Sequence, residues 1–203
     1  LLQPQLKTLS SVLNLKKEVL QYSLIIKDAM KPSLVNLINE EIYRNVDDWE
    51  KASTASGLNE KIRTVKSTSL YEKDIGNSIS RRIIFNDLKR FTSTIENEYR
   101  EKISSWYFSN NNYFEFLYYE GKNGGHYDYH TDYFKDAPRA LTLLIGLNDP
   151  KEYEGGELFV QNSQKGIKID RGDVVCFPSN FMFHHSVVPL TKGVRKVLVI
   201  WTE

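Results

Sequence analysis

The sequence predicts an α+β fold, in which helices precede a β-rich half that forms a sandwich or a closed jelly roll. Helical spacing of apolar residues is confined to the part of the chain before residue 113. The chain then consists of short runs of β-branched and aromatic residues, separated by turn signals such as Gly124-Gly125 and Asn148-Asp149-Pro150. The expected strands are residues 113–119, 126–132, 139–147, 157–160, 166–169, 173–177, 182–188 and 194–201.

Shorter patterns predict the N-terminal elements. A weak helical pattern over residues 1–20 indicates a helix or an ordered arm, and the apolar, β-rich run at 22–27 predicts a strand. Pro32 suits the first turn of a helix, and the apolar residues that follow it recur at helical spacing. A longer helix is expected from Ile79 to about Trp106, because apolar residues again recur with the period of one buried stripe.

Residues 51–77 differ from their surroundings, since they are rich in Ser, Thr, Gly and Lys with only scattered apolar positions. We expect a long, partly mobile loop here, and a loop of this length in a compact domain is typical of a functional lid or a disordered segment. The length of the chain favours one domain over 1–203, with a mainly helical part at 1–112 and a β core at 113–203.

The overall composition excludes several classes of protein. The net charge of +1 gives no field that would attract nucleic acid or an anionic membrane. No apolar run approaches the ~20 residues of a membrane helix, so we expect no membrane partner. Cys176 is the only cysteine, which excludes an intrachain disulfide and favours a cytoplasmic location.

All four histidines lie in the β-rich half. His130 and Asp132 are two residues apart, so in a strand their side chains point to the same side and offer two ligands for a divalent metal. A histidine from another strand would complete a set of two histidines and one carboxylate. That set suits non-haem Fe(II) and leaves coordination positions open. His184 and His185 are adjacent, so at most one of them should be the third ligand, and their spacing leaves open which one.

Two further residues have more than one interpretation. His126 precedes His130 by four residues, which places both on one side of a strand, and it is either structural or at the mouth of the site. Arg195 lies on the last expected strand. On the inner wall of a barrel its guanidinium would bind a carboxylate through two hydrogen bonds, whereas beside Lys192 and Lys196 it could equally be a surface cation.

Several motifs in the same order identify a family resemblance. They are Tyr119-Glu120-Gly121, His130-Thr131-Asp132, Arg139-Ala140-Leu141-Thr142 with Leu147-Asn148, Glu154-Gly155-Gly156-Glu157-Leu158, Gly172-Asp173 with Phe177-Pro178, and His185 with Pro189, Gly193 and Arg195. Together they resemble the 2-oxoglutarate- and Fe(II)-dependent dioxygenases of the prolyl 4-hydroxylase-like group, in particular its microbial or viral-type members. The resemblance extends over about residues 113–201 and is looser over 22–110.

The resemblance implies a double-stranded β-helix, which is a jelly roll, buttressed by the N-terminal helices. It also implies that the histidine followed by Pro189 and Arg195 is the third ligand, which selects His185. The implied roles are iron binding by His130, Asp132 and His185; 2-oxoglutarate binding by Arg195, Tyr119 and Thr142; and a substrate groove at Arg139, Tyr127 and Trp201. The Gly155-Gly156-Glu157 segment is expected to be structural.

The implied activity is hydroxylation of an unactivated C–H bond with Fe(II), 2-oxoglutarate and dioxygen as cofactors and ascorbate as an accessory reductant. A prolyl residue in a protein or peptide is the expected target, and residues 51–77 are the candidate lid. One alternative is the same chemistry on a free amino acid, another small molecule or a nucleic-acid base, the last being disfavoured by the near-neutral charge. Another alternative, of a different class, is a non-catalytic jelly roll that binds a metal or a ligand.

Overall fold

The computed structural model describes residues 22–54, 57–103, 112–133, 138–161 and 163–203. Its strands are β1 (Leu24–Ile26), β2 (Glu50–Lys51), β3 (Arg63–Thr64), β4 (Lys66–Leu70), β5 (Asn112–Glu120), β6 (His126–His130), β7 (Leu141–Gly146), β8 (Tyr153–Glu154), β9 (Leu158–Val160), β10 (Val174–Pro178), β11 (His185–Val187) and β12 (Lys192–Thr202). Its α-helices are α1 (Pro32–Glu41) and α2 (Ile79–Lys102), and short 3-10 helices cover Tyr43–Asp48, Glu72–Asp74, Gly121–Asn123 and Pro150–Glu152.

The strands form two antiparallel sheets, as the jelly-roll prediction requires. The large sheet has the order β1-β10-β7-β12-β5-β4-β2, and β8 pairs with one end of β12. The small sheet has the order β3-β6-β11-β9. Apolar side chains of both sheets pack together in one cluster, so the sheets face each other. The predicted α+β jelly roll is confirmed.

Strand β12 shows how the large sheet is buried on both faces. Leu198 and Ile200 belong to the cluster that includes the helices, whereas Val197 and Val199 belong to the cluster between the sheets. Successive side chains of a strand alternate between faces, so residues 197–200 of β12, which are covered on both sides, are all apolar. On β10 the fully buried Cys176 lies on the helix side.

The two helices cover the outer face of the large sheet. Helix α1 begins at Pro32 as predicted and buries Val35 and Ile38 completely. The Ser78 hydroxyl accepts a hydrogen bond from the backbone N–H of Arg81 and caps α2. The predictions for residues 1–20, and for the end of the second helix near Trp106, lie outside the described residues. No helix in the described ranges is long and apolar enough to cross a membrane.

Residues 51–77 are not the loop that the composition indicated. Strand β4 pairs with β5 over its whole length, and β3 pairs with β6. The segment therefore contributes β4 to the large sheet and β3 to the small sheet. The prediction failed because β4 has the sequence Lys-Ser-Thr-Ser-Leu, whose polar positions are only partly buried, so hydrophobic alternation does not mark it as a strand. The expected strand at 166–169 is reduced to one bridge between Leu158 and Ile167.

Candidate metal centre

Three side chains converge in the space between the sheets. His130, at the end of β6, stands directly opposite His185, at the start of β11. Asp132 lies two residues beyond the end of β6. The potential ligand atoms of the three residues all lie within 4.8 Å of one another, with 3.8 Å between His130 Nε2 and Asp132 Oδ1 and 3.5 Å between His185 Nε2 and Asp132 Oδ2.

Backbone carbonyls orient both imidazoles. Nδ1 of His130 donates to the carbonyl of Asp128 at 2.7 Å, and Nδ1 of His185 donates to the carbonyl of Phe183 at 3.1 Å. A proton held on Nδ1 leaves the Nε2 lone pair free to bind a metal, as is usual for metal-binding histidines. His184, which was the alternative ligand, instead packs edge-to-face against Tyr129 at 5.7 Å.

A β-bulge in β6 decides which side chains face the centre. His185 pairs with His130 and Val187 pairs with Tyr127, so two steps along β11 correspond to three steps along β6. Consequently, Tyr127 and His130 are stacked, with their ring centroids 3.4 Å apart. His126, expected on the same side as His130, lies elsewhere, and its two ring nitrogens are 2.8 and 3.2 Å from backbone carbonyl oxygens.

Asp132 is buried and held by hydrogen bonds. The Thr142 hydroxyl donates to Asp132 Oδ2 at 2.7 Å and lies 2.8 Å from the Ser179 hydroxyl. Thr142, predicted to line the 2-oxoglutarate pocket, is thus placed behind the carboxylate.

Burial acts to raise the pKa of Asp132, but the imidazoles of His185 and His130, together with Thr142, hold this pKa below its ordinary value. Burial and the neighbouring His185 lower the pKa of His130 to about 3. At neutral pH the carboxylate is therefore charged and the His130 imidazole is neutral.

Arg195 lies on the inner face of β12 and is only 2% exposed. Its guanidinium carbon is 5.0 Å from the centroid of the Tyr119 ring. Across the described ranges, no carboxylate lies within salt-bridge distance of Arg195. Gly156, at φ +71°, permits this arrangement, since an added Cβ would lie 3.0 Å from Arg195 Cδ. A buried cation without an anion is costly, so this position suits an anionic ligand.

One cavity of about 410 Å³ joins the histidine–aspartate cluster to Arg195. The three cluster residues, Arg195, Tyr119 and all three predicted groove residues are in its wall. The Arg139 guanidinium carbon lies 3.8 Å from the centroid of the Trp201 ring. Thr142 is the one predicted site residue that is not in the wall. Ser53, Thr54, Arg63, Ser69 and Tyr71, from the segment expected to be a lid, also line the cavity.

The sequence prediction missed a buried ion pair in the same wall. Arg63 Nη2 lies 3.4 Å from Glu115 Oε1, with side-chain exposures of 9% and 14%. Arg63 Nη1 donates to the Ser53 carbonyl at 2.7 Å. No motif points to Arg63, because β3 has two residues and no hydrophobic alternation. The available signal for Glu115 was strand alternation, which places it on the same face as Leu117 and Tyr119.

Comparison with known proteins agrees with this geometry. The profile of the 2OG-Fe(II) oxygenase superfamily matches residues 114–203. A PKHD-type hydroxylase of Pseudomonas putida (strain W619) is 32% identical over 92 residues, which are 40% of this chain and 40% of the relative. The PKHD-type hydroxylase YbiX of Escherichia coli O157:H7 is 40% identical over 65 residues, 31% of this chain and 28% of the relative. The matches thus span less than half of the length of these curated relatives.

Solved structures extend the similarity to nearly the whole chain. A prolyl hydroxylase from Trichoplax adhaerens, solved with a peptide fragment of the hypoxia inducible factor oxygen degradation domain, superimposes with a TM-score of 0.71 at 19% identity. The superposition covers 96% of this chain and 91% of that one. A Pseudomonas putida prolyl-4-hydroxylase gives a TM-score of 0.69 at 17% identity, with 90% and 92% covered. These similarities establish the fold, and residues 114–203, just under half of the chain, match the profile of the 2OG-Fe(II) oxygenase superfamily.

Proposed function

We propose that this protein is an Fe(II)- and 2-oxoglutarate-dependent dioxygenase that hydroxylates a prolyl residue in a peptide or protein. One observation carries the proposal. The ligand atoms of His130, Asp132 and His185 lie within 4.8 Å of one another, in a cavity that also contains the buried guanidinium of Arg195. A site for metal binding alone would not need a buried cation facing the same space.

The donor set fits Fe(II). Two imidazole nitrogens and one carboxylate on the same side leave coordination positions open, which is the ligand set of non-haem Fe(II) oxygenases. With 2-oxoglutarate and dioxygen, bound Fe(II) supplies an oxidative decarboxylation that yields succinate and carbon dioxide and transfers one oxygen atom to a C–H bond. The carbonyls of Asp128 and Phe183 keep the two Nε2 atoms directed at the metal position.

The chain supplies a matching anchor for 2-oxoglutarate. Arg195 is in reach of a dicarboxylate whose other end binds the metal, and its planar guanidinium can donate two parallel hydrogen bonds to the distal carboxylate. Burial raises the pKa of Tyr119 although Arg195 opposes the change, so its hydroxyl is neutral and can donate to the same carboxylate. Burial of this end of the cavity excludes water and strengthens both contacts.

The mouth of the cavity supports a peptide substrate with a prolyl ring. Tyr127 and Trp201 present aromatic rings to it, and Arg139 covers the Trp201 ring. Apolar ring carbons pack well on aromatic faces, and a guanidinium can donate to a peptide carbonyl. A relative is named as a PKHD-type hydroxylase, and a structural neighbour is a prolyl hydroxylase bound to a peptide. The free thiol of Cys176 agrees with action in the cytoplasm, which is part of the proposal.

The test is coupled turnover of 2-oxoglutarate to succinate with Fe(II) and a library of proline-containing peptides. Mass spectrometry should find a gain of one oxygen atom in some of these peptides. Asp132→Ala should abolish both signals, whereas Asp87→Ala, which removes a carboxylate on the surface of α2, should abolish neither. If folded, iron-loaded protein neither binds nor turns over 2-oxoglutarate, the proposed dioxygenase activity is wrong. Turnover on free amino acids alone would contradict the peptide substrate.

A further inference from the structure

The His130 imidazole is one end of a stack of three side chains. Its ring lies against the Tyr127 ring, with 3.4 Å between centroids and 14° between planes. The guanidinium carbon of Arg63 lies 4.7 Å from the centroid of the same Tyr127 ring. Because the imidazole occupies one face of Tyr127 so closely, the guanidinium packs against the other. A cation is attracted to an aromatic face, and the attraction increases when water is excluded.

Arg63 is firmly held in this position. It stands directly opposite Tyr127 in the pairing of β3 with β6, so the backbone already aligns the two side chains. Its side chain donates to the Ser53 carbonyl at 2.7 Å and pairs with Glu115 at 3.4 and 3.5 Å. Since Arg63 is only 8% exposed, its guanidinium cannot leave the ring without leaving a buried charge unpaired.

The two imidazoles of the cluster are fixed in different ways. The His185 side chain is 5% exposed, and the Phe177 ring meets it edge-on at 4.8 Å, so the core holds it. The His130 side chain is 15% exposed at the cavity wall. Its hydrogen bond to the Asp128 carbonyl fixes one edge of the ring but leaves the ring free to tilt about that bond. The flat Tyr127 ring at 3.4 Å removes this tilt.

We propose that Arg63 is a positioning residue for the metal centre: it presses the Tyr127 ring against His130 and so fixes the plane of a metal-binding imidazole. The inference rests on the proposed function, since it takes His130 as a ligand. It assigns the segment at 51–77 a role in metal affinity before any substrate arrives. Glu115 balances the charge of Arg63, so the added cation does not repel a divalent metal.

Electrostatics and positioning predict opposite results when Arg63 is removed. Removing a cation beside the site, and leaving Glu115 unpaired, should strengthen the binding of a divalent metal if charge alone mattered. Losing the contact between the Arg63 guanidinium and the Tyr127 ring should weaken metal binding. Changes in residues that orient a metal ligand usually weaken metal binding by ~10–100-fold. We therefore expect Arg63→Met, which keeps the apolar stem, to bind Co(II) roughly 10-fold more weakly than the wild type.

The experiment measures Co(II) binding by calorimetry and by its visible absorption spectrum, without 2-oxoglutarate or substrate. Arg63→Lys, which keeps a cation over the ring, should stay within about 3-fold of the wild type. The matched control is Lys196→Ala, which removes a cation 5.1 Å from the Tyr43 ring on the helix side, and it should change neither affinity nor spectrum. The spectrum of Arg63→Met should shift, because the geometry of one ligand changes.

Two further variants separate positioning from general damage. Tyr127→Ala should weaken Co(II) binding as Arg63→Met does, and combining the two should add nothing, because Arg63 acts through Tyr127. If Arg63→Met does not fold, Arg63→Met with Glu115→Gln removes the unpaired charge and should show the same loss. Unchanged or tighter Co(II) binding by a folded Arg63 variant, or additive losses, overturns the inference. Wild-type protein that fails to bind Co(II) overturns the proposed function with it.

Discussion

At the scale of single residues, the neighbours His184 and His185 show how strand geometry assigns chemistry. Both are histidines in the same segment, yet only the His185 ring lies within reach of Asp132. The His184 ring meets Tyr129 on the other side. Because adjacent side chains of a strand point to opposite faces, one position is a potential ligand and the other its natural control.

We therefore expect His185→Ala to abolish measurable Mn(II) binding, because two remaining ligands cannot hold the metal tightly. His184→Ala should leave the Mn(II) dissociation constant within about 2-fold of the wild type, since the partly buried His184 ring contacts Tyr129 and none of the three potential ligands. Electron paramagnetic resonance of free Mn(II) measures both. The reverse pattern would exclude His185 from the centre.

Arg195→Ala should weaken 2-oxoglutarate binding by a factor of about 30 to 5,000, which corresponds to the ~2–5 kcal/mol for removing one member of a buried charge pair. Arg195→Lys should bind at an intermediate level, because it keeps the charge but loses the planar fork. Calorimetric titration of the Mn(II)-loaded protein gives the values. An unchanged affinity in Arg195→Ala would remove this residue from the site.

The sequence was sufficient to predict the site residues that have distinctive chemistry. It was insufficient for residues that reach the cavity wall only through contacts between distant parts of the chain. His130 and Asp132 could be paired because a two-residue spacing has one geometric meaning in a strand. Arg195 needed a family resemblance, since nothing local separates it from a surface cation. Arg63 and Glu115 were missed because they become neighbours only when two distant strands come together.

At the scale of elements, helix α2 contains an unusual buried acid. Glu96 is 7% exposed, and its Oε1 has no hydrogen-bond partner among the described residues. Burial raises its pKa from 4.5 to about 7, although Arg100 opposes the change. The folded protein thus binds this proton more tightly than the unfolded chain. Its contribution to stability is fully present below pH 4.5, decreases as the pH rises from 4.5 to 7, and is lost above that range.

Glu96→Gln should accordingly stabilise the protein in a pH-dependent way, because the amide cannot ionise in the core. We expect little change in the free energy of unfolding at pH 5 and a gain of about 1–2 kcal/mol at pH 8, measured by urea denaturation. Glu101→Gln, an exposed position on the same helix, should show no such trend. A gain that is equal at both pH values would contradict burial of the charge as its cause.

Elements were predictable where hydrophobic pattern and structure coincide. Strand β7 and residues 197–200 of β12 are largely apolar because both of their faces are covered, and helix α1 begins at its proline. The bulge in β6 was not predictable, since one extra residue in a pairing leaves no trace in composition. It places Tyr127, and not His126, beside the His130 ring.

At the scale of the whole molecule, the site is shared by the two sheets. His130 and His185 come from the small sheet, whereas Arg195 comes from the large sheet and Thr142, also on the large sheet, supports Asp132. A metal and 2-oxoglutarate would therefore connect the two sheets across the cavity. Binding at such a junction stabilises the folded state as a unit, because the unfolded chain has no site.

Mn(II) and 2-oxoglutarate together should thus raise the melting temperature more than either alone. At 100 times the dissociation constant, one ligand adds ~2.7 kcal/mol, which for a protein of this size is a rise of roughly 5–10 °C. Differential scanning fluorimetry measures the effect. Asp132→Ala should lose this rise in melting temperature. If the variant showed the same rise as the wild type, the ligands would bind elsewhere.

The single cysteine provides a way to measure how often the packing around β10 opens. Cys176 is fully buried in β10 beneath the helices, and burial raises the pKa of its thiol. Only the thiolate reacts with alkylating agents, so the native protein should be inert and each labelled molecule must have opened the packing around β10. Because the chain has no second thiol, the labelling rate measures how often the core opens at this one position.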